Sequence, residues 1–505
     1  MPPIQTEAAQ AAAAQSPAPS GRTFFGHPRG LATLFATEMW ERFSFYGMRA
    51  LLVLYLVAPA SQGGLGFSAA TGAAIYSIYN AMVYLLALPG GWLSDRFWGP
   101  RKTVGIAAAV IMIGHFLLAL PVEFSFFIGL GFIAVGSGLL KANISTMVGH
   151  LYPDRNDPRR DGGFTIFYMG INLGAFAAPL VIGTVGQNVN WHFGFALAGV
   201  GMALGLIQYL LGGKHLSQES SRVTAPMGAA EKASMAKKSA FWAALAVVFY
   251  GIVAVTGHLS SNWIIWSLTV AGLAIPILCF LRIRRDKELS TDEKKKVSGY
   301  IWLFVAAALF WMIYDQSGST LNLFATNNTA NSLLGFDFPS SWFQSENPLF
   351  IMALGPVIAW LWVWLAKRQK NPSTLVKFSM GLLGIGISFG IMMMAQAAAS
   401  GGEKVTPLWL TIVYLVQTVA ELCLSPVGLS VTTKMAPQKY ASQMMGLWFL
   451  AVTAGDCVAA VLQQSLGDSF LSQTSFAIQG AVCALAGVAV WMFRRSVSKN
   501  MGDVH

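Results

Sequence analysis

The sequence predicts an all-α membrane protein in which two six-helix bundles flank a pair of further helices. Only 11% of its 505 residues are charged and 55% are hydrophobic, whereas about a quarter of the residues in soluble domains are charged. The chain also contains fourteen runs of roughly 20 apolar residues, the length that crosses a bilayer as a helix. Basic residues gather in alternate connections between these runs. We therefore expect fourteen transmembrane helices.

Two polar linkers, at about 213–238 and 284–297, divide the predicted helices into groups of six, two and six. The expected spans lie at about 30–58, 69–94, 102–120, 124–150, 162–186, 192–212, 239–257, 262–283, 298–327, 346–366, 374–398, 406–434, 441–466 and 473–493. The expected domains are a disordered cytoplasmic tail at 1–23, an N-terminal six-helix bundle at 24–212, a linker with two accessory transmembrane helices at 213–297, a C-terminal six-helix bundle at 298–497 and a cytoplasmic tail at 498–505.

The basic residues predict the orientation of the chain, because cytoplasmic loops are enriched in Lys and Arg. Of the 33 Lys and Arg, three lie within spans and Lys404 lies on an outward connection, while the rest fall in the tails and alternate loops. This pattern predicts two cytoplasmic termini, which agrees with an even number of spans. It also explains the net charge of +11 without a nucleic-acid partner.

The first span contains four ionisable residues: Glu38, Glu41, Arg42 and Arg49. A charge within the bilayer costs several kcal/mol, so such residues normally face a protein-lined, wet cavity. At about 100° per residue, Glu38, Arg42 and Arg49 fall on one stripe of the helix together with Phe45. This helix is expected to turn a charged, aromatic face towards a solute pathway.

Ionisable residues also lie in later spans: Lys141 in the first half, and Asp315, Glu421 and Asp456 in the second. Five acids therefore face three bases inside the membrane, which leaves two negative charges without a basic partner if every acid is ionised. Unpaired buried carboxylates are costly, so at least one acid is expected to be protonated in some states. The sequence thus provides a physical basis for proton coupling.

Metal, disulfide and enzyme chemistry are not indicated. The four cysteines lie at scattered spacing in apolar runs, and the seven histidines are dispersed, so neither type forms a ligand or catalytic cluster. We expect no catalytic residue, no metal and no cofactor other than protons as the coupling ion. An intramembrane enzyme or a receptor is the disfavoured alternative.

Residues 90–102, GGWLSDRFWGPRK, resemble the cytoplasmic signature of the major facilitator superfamily. That resemblance implies two six-helix halves with a binding site between them near the middle of the membrane. The glycines would allow close helix approach, and the acid and bases would form a cytoplasmic charge latch. The two middle helices would then be accessory.

Five further motifs resemble the proton-coupled oligopeptide transporter family. They are EMWERF at 38–43, GLLKANIS at 138–145, DGGFTIFYMGINLG at 161–174, WFQSENPLF at 342–350 and ELCLSPVG at 421–428. The resemblance runs from about residue 24 to 495 and implies a bacterial importer of di- and tripeptides in the inner membrane, driven by protons. We expect it to work as a monomer. Two departures are Asp315, where the family usually has Glu, and the absence of histidine between His27 and His115.

A zwitterionic peptide needs a cationic pole, an anionic pole and partners for its amide between them. Arg42 and Lys141 are the candidates for the cationic pole, because an Arg fork binds a carboxylate with two hydrogen bonds. Glu421 is the candidate for the anionic pole. The remaining candidate contacts are two amides and four aromatic side chains: Asn172, Asn347, Tyr46, Tyr84, Trp448 and Phe449.

The leading proton carriers are Glu38 and Glu41, which lie beside Arg42. Asp315 and Lys141 lie in opposite halves and are expected to form a salt bridge that protonation or substrate releases. Two roles remain for Arg49: it forms a gating salt bridge, or it orients Glu38. Asp456 is expected to be a locally satisfied polar residue.

A different small solute is the alternative within the same fold, either nitrate or a drug-like cation. The intact acidic pair and Arg of the first span weigh against nitrate, because an anion gains little from Glu421 or from paired acids.

Overall fold

The computed structural model describes residues 23–154, 157–257 and 260–501 and shows them to be almost entirely helical. Residues 1–22 and 502–505, which belong to the two predicted tails, lie outside the described residues. The predicted all-α fold is confirmed. One small hairpin interrupts it, in which β1 (Ser332–Leu333) pairs antiparallel with β2 (Phe336–Asp337).

The first half begins with a helix that ends before a proline. Because Ala58 precedes Pro59, it adopts an extended conformation that closes the helix. A left-handed glycine, Gly99 with φ 71°, reverses the chain further on. The helices of this half are α1 (Gly30–Val57), α2 (Ala69–Leu85), α3 (Ala87–Leu93), α4 (Gly99–Leu118), α5 (Glu123–His150), α6 (Arg159–Ala178), α7 (Thr184–Asn188) and α8 (Trp191–Gly212).

Nine further helices follow. The first helix of the second half starts with a capping box: Ser290 Oγ accepts from the Glu293 amide at 3.2 Å, and the Glu293 carboxylate accepts from the Ser290 amide at 2.9 Å. The middle pair is α9 (Ala229–Val255) and α10 (Ser261–Arg285). The second half contains α11 (Thr291–Tyr314), α12 (Thr320–Asn327), α13 (Glu346–Lys367), α14 (Thr374–Ala399), α15 (Leu408–Met435), α16 (Ala441–Leu466) and α17 (Gln473–Met501).

Twelve helical segments among the described residues are long and apolar enough to cross a membrane. One of them, Ala69–Leu118, has 50 residues, about twice what a single span requires, and it contains the reversal at Gly99. The helix α1 is not among the twelve, because it carries four charged residues. Dividing the first segment and adding α1 is compatible with the fourteen spans predicted.

The buried apolar side chains form two main cores, one in each half. One core contains side chains between Leu31 and Leu216, and the other contains side chains between Phe280 and Met501. The accessory helix α10 packs where the halves meet, since Ile265 shares a small cluster with Ala74 and Ile78 of α2 and with Cys457 of α16. The other accessory helix, α9, is largely exposed.

The two halves are hydrogen-bonded to each other near one face of the bundle only. We call the face where α1 begins and α17 ends the terminal face, and the face where α1 ends the opposite face. Bonds between the halves near the opposite face include Ser77 to Gln463, Asn322 to the Ala50 carbonyl, Trp342 to Thr184 and Gln187 to Ser340. No such bond joins the described residues at the terminal face, so this structure is closed at the opposite face.

Candidate functional site

The charged residues of α1 form a compact buried group. Arg42 Nε lies 2.9 Å from Glu38 Oε1 and 2.7 Å from Glu41 Oε2, and Ser137 Oγ of α5 donates to Glu41 Oε1 at 3.3 Å. The spacing of four residues places Glu38 and Arg42 on one helix face. No described residue accepts a hydrogen bond from the terminal nitrogens of Arg42, so its fork is available to an anionic ligand.

Lys141 lies beside this group on α5, over an aromatic surface. Its Nζ is 3.4 Å from the ring centroid of Tyr84 and 5.8 Å from that of Phe45, which are cation–π distances. Phe449 of the other half stacks on Tyr84 with 6.4 Å between ring centroids. Among the described residues Lys141 has no ion-pair partner, so it provides a second cationic contact next to Arg42.

Arg49 links the halves at the opposite face. Its Nη2 lies 3.5 Å from Asp315 Oδ1 and donates to Ser317 Oγ at 2.9 Å, while its Nε donates to the Tyr76 hydroxyl. The expected Lys141–Asp315 salt bridge is wrong for this structure, because Lys141 lies on Tyr84 and the cation that faces Asp315 comes from α1. Arg49 therefore forms an ion pair between the halves and does not contact Glu38.

Asp456 also connects the halves. Its Oδ2 accepts a hydrogen bond of 2.8 Å from Asn80 Nδ2 of α2, and both side chains are buried. Asp456 thus has a polar partner, as predicted, but this partner is not local, because Asn80 belongs to the other half.

Glu421 provides an anionic group on α15. Its Oε2 accepts from the Tyr314 hydroxyl at 2.5 Å and from Asn347 Nδ2 at 3.2 Å. The Asn347 amide also donates to Thr418 Oγ1 at 2.9 Å. These neutral donors hold the carboxylate without neutralising it, and no basic side chain among the described residues lies within salt-bridge distance of it. Glu421 is thus free to bind a ligand cation.

A small cavity lies between the two halves. It lies between Arg49 and the Tyr314 and Asn347 donors of Glu421. Its lining residues are Tyr46, Arg49, Tyr314, Ser317, Gln344, Asn347, Pro348, Tyr414 and Gln417.

The structure places the other predicted contact residues differently. Tyr46 and Asn347 line the cavity as expected. Asn172 is buried on α6, where its amide donates to the Tyr168 carbonyl at 3.0 Å. Trp448 is only 3% exposed and packs edge-on against Phe378 at 6.4 Å, so it belongs to the core and not to the cavity lining in this structure.

Several residues at the site were not predicted from the sequence. Tyr314 precedes Asp315, and Gln417 lies one helical turn before Glu421, so adjacency to a predicted residue is the signal that points to both. Gln344 lies in the motif at 342–350, three residues before the predicted Asn347, whereas Tyr414 carries no comparable signal. Asn80 was missed because its partner, Asp456, lies 376 residues away in the chain.

Comparison with known proteins identifies the family. The sequence profile of the POT family matches residues 101–476, more than half of the chain. The Di-/tripeptide transporter of Lactococcus lactis subsp. cremoris is 41% identical over 495 residues, which cover 96% of this chain and 98% of that one. The chain belongs to the POT family. This family consists of transporters and not of enzymes.

Other relatives and solved structures agree. The Uncharacterized transporter YclF of Bacillus subtilis (strain 168) is 44% identical, covering 95% of this chain and 96% of its own. A crystal structure of a POT peptide transporter in complex with sulfate superposes with a TM-score of 0.90 at 42% identity, covering 97% of this chain and 99% of that one. A POT family transporter crystallised with 5-aminolevulinic acid gives a TM-score of 0.89 at 37% identity, covering 94% and 98%.

Proposed function

We propose that this POT family protein imports di- and tripeptides into the cytoplasm together with protons, by alternating access of the two halves. The observation that carries the proposal is the pair of opposite poles across the interface between the halves. Arg42 and Lys141 form a cationic pole in the first half, and Glu421 forms an anionic pole in the second. This arrangement matches a zwitterion with a carboxylate at one end and an ammonium at the other.

The proposed contacts follow from the charge and position of each group. Arg42 and Lys141 bind the peptide carboxylate, and Glu421 binds the ammonium. Asn347 supplies a donor and an acceptor next to Glu421. The remaining proposed contacts with the peptide are Asn172 and the aromatic side chains Tyr46, Tyr84, Phe449 and Trp448, the last only in a conformation that moves it out of the core.

The charges at the cationic pole also suggest how protons are coupled. Glu38 and Glu41 balance Arg42 and Lys141 when the site is empty, so a bound peptide carboxylate adds one uncompensated negative charge. Protonation of Glu38 or Glu41 removes that charge and lets the loaded site close in a low-dielectric interior. On the opposite face, loss of charge on Asp315 would release Arg49. Protons are then the coupling ion, and no other cofactor is needed.

The proposed location is the inner membrane of a bacterium, with the terminal face towards the cytoplasm. Basic residues concentrated in alternate loops and in both tails support this orientation. The structure described here would then be closed to the outside. We propose that the functional unit is a monomer, since both poles and the cavity are formed within one chain.

The experiment that tests this function is uptake of labelled dialanine by the purified protein in liposomes, with and without an inward proton gradient. We expect gradient-stimulated uptake that unlabelled di- and tripeptides compete with, whereas free alanine, nitrate and a lipophilic drug cation compete poorly. Empty liposomes and a proton ionophore are the controls. Uptake that is insensitive to the gradient, or that nitrate or the drug cation abolishes, would contradict the proposal.

A further inference from the structure

Asp456 is an acid within the membrane that belongs to neither pole and, among the described residues, to no ion pair. It lies on α16, is 1% exposed, and has no basic side chain within 4 Å among the described residues. Its one hydrogen bond from a described side chain comes from Asn80, a neutral donor. A buried carboxylate held only by neutral groups costs several kcal/mol when it is ionised.

The distribution of charge leaves Asp456 without compensation. At the cationic pole two acids face two bases, Asp315 is paired with Arg49, and Glu421 awaits the peptide ammonium. Asp456 is therefore a negative charge at the interface between the halves that neither an ion pair among the described residues nor the substrate cancels. Because Asp456 does not line the central cavity, a bound peptide does not change this balance.

The neighbours of Asp456 come from every helix packed against it. Neutral groups dominate: Asn80 and Tyr76 of α2, Cys457 of its own helix, and Gly272 and Ile265 of the accessory helix α10. On the side of α11, Gly455 beside Asp456 packs against the backbone of Ala308 and Met312, which is also neutral. The charged and titratable groups that act on Asp456, or on which it acts, are Asp315, Arg49, Lys141, Tyr76 and Cys457. One of these, Asp315, adds a second negative charge, and its Oδ2 has no hydrogen-bond partner among the described residues.

The position of Asp456 ties its charge to a conformational step. Asn80 and Asp456 lie on α2 and α16, the helices that hold the opposite face closed through Ser77–Gln463 and through Thr453 to the Ala81 carbonyl. When these helices part, water reaches the carboxylate and stabilises its charge. When they close, the carboxylate must enter a dry interface, which strongly favours the neutral acid.

We infer that Asp456 is a proton-binding site that controls closure of the opposite face: a proton taken from the water on that side lets α2 and α16 close. The bound proton neutralises the carboxylate while Asn80 keeps its hydrogen bond. Acidic conditions outside the cell then favour the conformation described here. This inference rests on the proposed function only in that closure of this face belongs to the transport cycle.

The test measures closure directly and needs no peptide uptake. Spin labels on Gln62→Cys and Ser469→Cys, two exposed positions at the opposite face, report the distance between the halves as pH is varied. Of the four native cysteines only Cys279 is partly exposed, so Cys279→Ser removes the labelling background. The ratio of closed to open molecules in the parent is expected to rise as pH falls, by up to tenfold per pH unit for one linked proton.

Asp456→Asn mimics the protonated acid, so the closed fraction should no longer rise as pH falls. Any response that remains comes from Asp315, whose protonation releases Arg49, and it has the opposite sign. Asn80→Ala removes a donor to the charged form in the closed interface, so the pH range over which the closed-to-open ratio changes should extend to higher pH. Gln463→Leu is the matched control: it breaks a bond between the same helices without touching a charge, and should change the closed-to-open ratio by the same factor at every pH.

The inference is overturned if Asp456→Asn keeps the pH response of the parent, or if Asn80→Ala leaves the pH range of the closed-to-open ratio unchanged. The second variant keeps the test decisive where Asp456→Asn does not fold. A parent protein that shows this response but takes up no dialanine would contradict the proposed function and leave the proton site standing. A parent protein that takes up dialanine but whose closed fraction does not depend on pH would contradict the proton site and leave the proposed function standing.

Discussion

Arg49 and Asp315 form an ion pair that joins the two halves of the molecule, with 3.5 Å between Nη2 and Oδ1. Both side chains are buried, and Arg49 also donates to Tyr76 of its own half and to Ser317 of the other. The pair lies at the margin of the central cavity, since Arg49 is one of the lining residues. One cation therefore both lines the cavity and holds the two halves together at the opposite face.

Asp315→Asn removes the charge that Arg49 faces and keeps the side-chain size. We expect gradient-driven accumulation of dialanine to fall at least tenfold, because the pair can no longer be made and broken by a proton. Exchange of labelled for unlabelled peptide should persist, since Ser317 and Tyr76 still hold Arg49. Asp315→Glu is the control and should retain accumulation. Full accumulation in the Asn variant would remove Asp315 from the coupling mechanism.

Arg42→Ala removes the fork that the proposed peptide carboxylate contacts, and it leaves Glu38 and Glu41 without their cation. Removing one partner of a buried charge pair costs about 2–5 kcal/mol, so the Kd for dialanine should rise at least about thirtyfold. The binding measurement is repeated with alanyl-alanine amide, which lacks the carboxylate. The loss of affinity should be much smaller for the amide, and an equal loss for both ligands would make Arg42 a structural residue.

Glu421→Gln keeps the hydrogen bonds from Tyr314 and Asn347 but removes the negative charge. We expect affinity for dialanine to fall by tenfold or more, because the peptide ammonium loses its counter-ion. Acetylated dialanine, which has no ammonium, should bind the parent and the variant with similar affinity. Thr418→Val, which disturbs only the donor network around Asn347, is the matched control. A variant that binds both peptides as the parent does would contradict the anionic pole.

Lys439 makes a charged cluster at the terminal face, outside the spans. Its Nζ lies 2.7 Å from Asp286 and 2.6 Å from Glu288, and the Tyr440 hydroxyl donates to Asp286 at 2.6 Å. The hydrogen bonds from Lys439 and Tyr440 to Asp286 hold the pKa of its carboxyl well below the ordinary value of 3.8. A carboxylate with a lowered pKa stabilises the folded protein above its ordinary pKa, and this stabilisation is lost as pH falls towards the lowered value.

Lys439→Met should therefore lower the thermal unfolding midpoint in detergent by a small amount, because the cluster is exposed to solvent. The difference from the parent should be the same at about pH 7 and at about pH 5, since Asp286 stays ionised in the parent at both. The difference should shrink below about pH 4, and a difference that stays unchanged there would show that Lys439 does not lower the pKa of Asp286. Lys295→Met, in an exposed pair with Asp292 at 3.2 Å, is the control.

The fold was predictable because its two signals, long apolar runs and basic connections, each extend over many residues. A single unusual residue therefore does not hide them. The helix α1 shows the limit of hydropathy: its four charges remove it from the apolar segments, yet their common stripe marks it as the charged centre of the first half. Pairs within one helix, such as Glu38 and Arg42, follow from a spacing of four residues.

Contacts between helices were harder to predict. The Lys141–Asp315 pair was expected from charge and location in opposite halves, but the rotation and depth of each helix decide which side chains meet. The aromatic face of Tyr84 holds Lys141, and Arg49 reaches Asp315. The rotation of its helix also decides the position of Trp448. The sequence around Trp448 does not indicate whether its side chain lies in the core or in the cavity lining.

Proton movement driven by peptide alone is the most direct measurement of the central claim. Liposomes that contain the protein and an enclosed pH dye are placed in a dialanine gradient with no proton gradient imposed. We predict acidification of the lumen that follows peptide entry, and its loss in Glu41→Gln, which binds peptide but cannot carry a proton. Ser137→Ala removes a donor to Glu41 without removing the acid and should still acidify the lumen. Peptide entry without acidification in the parent would contradict proton-coupled import.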